Sequence, residues 1–82
     1  MAHILKVDGS KEEIADTSLK TLQTAVGGYI QIVNAPDGRL IVLDEEGKLK
    51  GKEVNEYATD IYKNPYDCIV GDVVIANSDE ID

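Results

Sequence analysis

The sequence predicts an α+β fold: a curled antiparallel sheet of about four to six short strands with two helices, near residues 17–27 and 55–63. Three observations point there. Short β-branched apolar runs alternate with tight-turn signals, and two stretches carry a capping residue followed by helical spacing. Gly71-Asp72 interrupts the last apolar run as a bulge or corner does in a curled sheet.

The elements follow in chain order. Ala2–Val7 is β-branched and apolar, Asp8-Gly9-Ser10-Lys11 turns, and Glu12–Ala15 returns as a short second arm. Asp16, Thr17 or Ser18 caps the first helix, in which Leu19, Leu22 and Val26 form one apolar stripe. Gly27-Gly28 ends it, because glycine takes the left-handed conformation without a Cβ clash.

Tyr29–Asn34 and Arg39–Asp44 flank Ala35-Pro36-Asp37-Gly38, whose Pro and Gly positions suit a type I turn closing a hairpin. Leu40–Leu43 is continuously apolar, which places it centrally or under cover on both faces. Glu45-Glu46-Gly47-Lys48 turns again. Asn55 caps the second helix, with Ala58, Ile61 and Tyr62 buried, Glu56 in its first turn and Lys63 in its last. Asn64-Pro65 stops it. Asp67–Val70 and Val73–Ala76 give one bent strand or two short ones. The order also admits a split βαβ, ferredoxin-like assignment, but the short, turn-rich strands favour the curled antiparallel sheet, with strand order open.

Length and composition bound the function. Eighty-two residues allow a single domain, read as 1–77 with an acidic, flexible tail at 78–82. Sixteen acids against eight bases give a formal charge of −8, without the Lys and Arg clusters that phosphate contacts need, so direct nucleic-acid binding and an anionic membrane surface are not expected. With one Cys (Cys68) and one His (His3), a thiolate zinc site and an imidazole site are not expected either, and no metal or cofactor is assigned. No secretory signal or membrane span is visible, and a cytoplasmic location follows as the default.

Four motifs stand in order: Leu22-Gln23-x-x-Val26-Gly27-Gly28-Tyr29-Ile30, Asp44-Glu45-Glu46-Gly47-Lys48-Leu49-x-Gly51, Asn55-x-x-Ala58-Thr59, and Asp67-x-Ile69-Val70-Gly71-Asp72-Val73. Across residues 3 to 76 the chain resembles an uncharacterised domain of bacteriophages, including marine cyanophages, and of conjugative elements, catalogued as a domain of unknown function. The resemblance implies a small accessory gene that adjusts host physiology or counters host defence, acting in the host cytoplasm if phage-encoded. It supplies no catalytic residues. Lys52-Glu53-Val54 departs from it, where a more apolar, Pro-containing approach to Asn55 is expected.

The binding candidates are Gly27, Gly28, Tyr29, Glu45, Glu46, Asn55, Thr59 and Asp72. Gly27-Gly28-Tyr29 reads as a helix C-cap or as a ligand cradle; these glycines end a helix, so it is not a phosphate loop. Asp44-Glu45-Glu46 reads as a solvated turn, since Lys48 and Lys50 break a calcium-loop register. Asn55 and Thr59 read as a cap with a packing residue or as a polar pair on one face. Cys68 has no neighbour in sequence to activate it, and no enzyme signature is present.

The expected function is therefore that of a non-enzymatic acidic accessory protein that binds a host protein, in host takeover or anti-defence. Two alternatives stand beside it. One is a nucleotide-like small-molecule sponge acting as a homo-oligomer, for which Arg39 is the only arginine; the other is a structural homo-oligomer whose edge is Leu40–Leu43 or Cys68–Ala76.

Overall fold

Two hairpins with the same turn chemistry frame the sheet of the computed structural model, which describes residues 2–81. In the first, Gly9 N–H donates to Lys6 O and Lys6 N–H to Ser10 O; in the second, Gly38 N–H donates to Ala35 O and Ala35 N–H to Arg39 O. Both turns need a left-handed residue at the same place, and Gly9 (φ 88°) and Gly38 (φ 92°) supply it. An aspartate reinforces each turn: Asp8 Oδ1 accepts from Ser10 N–H at 2.8 Å and Asp37 Oδ1 from Arg39 N–H at 3.0 Å.

The strands are β1 (His3–Leu5), β2 (Lys11–Glu13), β3 (Ile30–Asn34), β4 (Leu40–Asp44) and β5 (Val73–Ala76). They form one antiparallel five-stranded sheet in the order β2-β1-β5-β4-β3. Helix α1 (Leu19–Val26) lies between β2 and β3 in the chain, and α2 (Glu56–Tyr62) between β4 and β5. The α+β class thus stands, with every strand pair among the described residues antiparallel and no parallel βαβ step among them.

Period-two alternation divides the core between the two faces. Leu5, Ile41, Leu43, Val73 and Ile75 pack with Ala58, Ile61 and Tyr62 of α2 and with Ile69. Val42, Val74, Ala76 and Ala2 pack with Leu22 and Val26 of α1. β4 and β5 are the central strands and are buried on both sides, as the unbroken apolar runs predict. They are not edges: Leu40–Leu43 and the strand part of Cys68–Ala76 each have a neighbour on either side, so the edge expected there is found instead at β3 and β2.

Ser18 caps α1 and Gly27 closes it in the left-handed conformation. Leu19, the first residue after the cap, is exposed; Leu22 and Val26 carry the buried stripe and Ala25 packs beside them. Lys63 is not in the last turn of α2 but is its C-cap, left-handed at φ 56°. Of Asp67–Val70 only Val70 pairs, through an isolated bridge to Val54. The tail expected at 78–82 holds a turn of 3₁₀ helix at Ser78–Glu80, tied down by a Thr17 hydroxyl bond to Glu80 O and by Ile81 packing beneath α1. Asp82 lies outside the described residues.

Candidate functional site

Asp44 ends β4 with the same parity as Val42, so its carboxylate points to the α1 face and is 98 % buried as a residue by its 2 % exposure. It meets two cations from the turn region 45–54. Lys50 Nζ lies 2.8 Å and Lys52 Nζ 2.9 Å from Asp44 Oδ2, while Asp44 Oδ1 accepts the Glu46 N–H at 2.9 Å. The same ammonium groups donate to the end of α1, Lys50 to Gly27 O and Lys52 to Val26 O. A helix C-terminus is a negative pole with unsatisfied carbonyls, so two lysines there neutralise both the pole and the buried acid. Burial opposes the charge on Asp44, but the Lys50 and Lys52 bonds and the Glu46 N–H outweigh it and hold its carboxyl well below the usual carboxylate range.

Gly28 is part of this cluster because only a missing side chain fits. A Cβ there would lie 2.6 Å from Lys50 Nζ and 2.9 Å from Asp44 Oδ1. Beside it opens a hollow of about 370 Å³ lined by Lys20, Gln23 and Thr24 of α1, by Gly28 and Tyr29, and by Glu46 and Lys50. The Tyr29 side chain stands over it, 68 % exposed. The first two motifs therefore meet in space, and Gly27, Gly28, Tyr29 and Glu46 come together as one site. Glu45 is exposed and contributes its backbone, donating to Tyr29 O at 2.9 Å.

The third and fourth motifs meet elsewhere. Asn55 is fully buried: its amide donates to Leu5 O at 2.9 Å and Gly71 O at 3.0 Å, and its Oδ1 accepts from Ala58 N–H at 3.0 Å. The Thr59 hydroxyl donates to Asn55 O and accepts from Ile69 N–H. Asp72 Oδ1 accepts from Val7 N–H at 3.0 Å, across the corner where Gly71 is left-handed. These polar groups are engaged inside the fold, tying the start of α2 to β1 and to the chain entering β5. Asn55 has no surface to offer a ligand, and the packing reading of the Asn55–Thr59 pair is the one the geometry supports.

The reading of Asp44-Glu45-Glu46 as one solvated turn divides: Glu45 and Glu46 are exposed, Asp44 is not. The motifs do not mark Lys20, Lys50 or Lys52 as site residues, although all three face this cluster or its hollow. The available signal was the parity of Leu40, Val42 and Asp44, which turns Asp44 inward and demands a cation. Among the described residues no group of three or more His, Cys, Asp or Glu side chains is placed to hold a metal ion, and no helix is long and apolar enough to cross a membrane.

A family model for a domain of unknown function, DUF3846, matches residues 1–82. The chain belongs to the DUF3846 family. No curated protein and no solved structure matches it significantly. The DUF3846 assignment spans both polar clusters, the one that opens on the Gly28 hollow and the one sealed around Asn55.

Proposed function

We propose that this DUF3846 chain is a non-catalytic binding module that docks a cationic segment of another protein on the outer face of α2. The observation that carries this reading is an acidic ridge with no ion-pair partner. Glu56 and Asp60 stand one turn apart and separate two shallow hollows of about 650 and 520 Å³, the first reaching Val54 and Lys63 and the second reaching Tyr57, Ile61 and Lys11. Neither Glu56 nor Asp60, nor the nearby exposed Glu53, is among the ion pairs of the described residues. Val54 and Tyr57 are exposed beside them. Unpaired carboxylates around exposed apolar side chains attract Lys- and Arg-rich partners and give them somewhere to bury their stems. The resemblance to phage and conjugative-element domains points to a host protein in the host cytoplasm as that partner.

Capture from host lysate at low salt, with the unmodified chain and with Glu56→Lys/Asp60→Lys, tests the proposal. One dominant partner should be retained by the unmodified chain, released as salt rises, and lost from the charge-reversed variant. Equal retention by both chains, or none by either, would overturn it.

The hollow at Gly28 and Tyr29 favours a second reading, a small anionic ligand with a planar group stacked on Tyr29. Lys20 supplies a cation beyond the single arginine, while Lys50 is already paired with Asp44 and Glu46 lines the same hollow. A nucleotide at 100 times its Kd would add about 2.7 kcal/mol to stability, visible as a thermal shift.

A further inference from the structure

We propose that β3 is a dimer seam, pairing antiparallel with β3 of a second copy about a two-fold axis at Ile32. Among the described residues β3 is an edge strand whose only neighbour is β4. The hydrogen-bond parity of that pair is fixed by its two ends, where Ala35 N–H donates to Arg39 O and Glu45 N–H to Tyr29 O. In an antiparallel ladder bonded pairs alternate, so Tyr29, Gln31, Val33 and Ala35 bond inward to β4. Ile30, Ile32 and Asn34 therefore turn their N–H and C=O groups outward.

A two-fold axis at Ile32 matches those groups to themselves. Ile32 faces Ile32 of the second copy and Ile30 faces Asn34 both ways, and every one of these facing pairs is of the bonded type. On the opposite face of the sheet Gln31 meets Val33. No charged residue lies in Ile30–Asn34, so a chain of net charge −8 can pair here with its own copy without setting like charges opposite each other. Ile32 is 42 % exposed and would gain cover from its counterpart.

The opposite edge has none of these properties. β2 is three residues long, wholly exposed and reads Lys11-Glu12-Glu13, the charged, short kind of strand that discourages edge pairing. This seam is independent of the α2 ridge and stands or falls apart from it.

Sedimentation equilibrium over a dilution series from millimolar protein downward tests the proposal. The unmodified chain should approach twice the 8.9 kDa of the single chain. Ile32→Lys sets two ammonium groups on the axis and should weaken self-association by at least about tenfold. Ile32→Pro removes an outward N–H that β4 does not use, and should do the same while the thermal unfolding transition persists. Glu13→Lys on β2 keeps that edge charged and should leave the mass unchanged. A chain that stays monomeric at millimolar concentration, or a dimer that survives both Ile32 variants while they remain folded, overturns the proposal.

Discussion

Two polar clusters anchor the two helices to the sheet, and they do so by opposite means. At the end of α1 the cluster is ionic: Asp44 is buried, but Lys50 and Lys52 keep 40 % and 25 % of their side chains exposed. At the start of α2 the cluster is neutral and sealed, with Asn55 at zero exposure and each of its bonds to backbone. A neutral amide can donate and accept at once and loses little on leaving water when every group is satisfied. An ionic cluster depends on pH and must keep one side near solvent. The difference separates architecture from accessibility: the Asn55 cluster holds the fold, whereas the Asp44 cluster also forms the wall of a hollow.

The largest expected effect breaks the neutral cluster. Asp is as good a helix N-cap as Asn, so if capping were the whole role of Asn55, Asn55→Asp would be harmless. In this structure the amide also donates to Leu5 O and Gly71 O, and a carboxylate can donate to neither. It would face two carbonyl oxygens as a buried charge. Asn55→Asp should cost about 4 kcal/mol or prevent folding, with Asn55→Ala close to it at about 3 kcal/mol. Denaturant unfolding measures both; a mild Asn55→Asp variant would reduce the residue to a cap.

How much of this was legible in the sequence follows from the same contrast. Helix ends were legible because Ser18, Gly27, Asn55 and Pro65 act on their immediate neighbours, and the hairpins because Asp-Gly and Pro-Asp-Gly set local backbone geometry. The partners of Asn55 were not, since Leu5 O lies fifty residues away and is reached only once β1 and β5 have paired. Strand parity carried the inward turn of Asp44, but that Lys50 and Lys52 return to meet it depends on the path of residues 45–52, a run of turns whose bonds are local and in which Gly47 approaches Val70 too closely for a side chain. The unbroken run Leu40–Leu43 marks β4 as interior, but that β3 and β2 form the edges follows only once β4 has paired with β5 and β5 with β1.

The ionic cluster can be inverted. Asp44 has its carboxyl held low, so in the unmodified chain its charged form favours the fold. That contribution is present above the ordinary aspartate value of about 3.9 and is lost as pH falls toward the lower native value. Exposed Asp8 and Asp37, held low by Ser10 and by Arg39, add to the acid limb with the same sign. Lys50→Met/Lys52→Met leaves Asp44 buried without a cation, which raises its carboxyl above the ordinary value. The double variant should lose about 3 kcal/mol at neutral pH. It should then recover part of that loss on mild acidification, where the unmodified chain is flat. Unfolding midpoints between neutral pH and about pH 4.5 distinguish the two, because only a desolvated, unpaired acid gives the reversed slope.

The glycines give the smallest effects, and Gly28 gives the finest resolution of the ionic cluster. Its backbone is not left-handed, so an alanine there meets no conformational penalty, only the Asp44 carboxylate and the Lys50 ammonium. Gly38 is the complement, left-handed at φ 92° with no atom within 4 Å of the Cβ it would gain. Gly38→Ala therefore reports backbone strain alone, about 1 kcal/mol. Gly28→Ala reports crowding alone, and its cost depends on which neighbour must give. A lysine tip can swing into solvent, but the carboxylate is pinned by the Glu46 N–H and by Lys52. The cost of about 1 to 2 kcal/mol should accordingly persist when Gly28→Ala is placed in a Lys50→Met background. If it vanishes there, the ammonium is the rigid partner and Asp44 the movable one, and the wall of the hollow is held by the lysine.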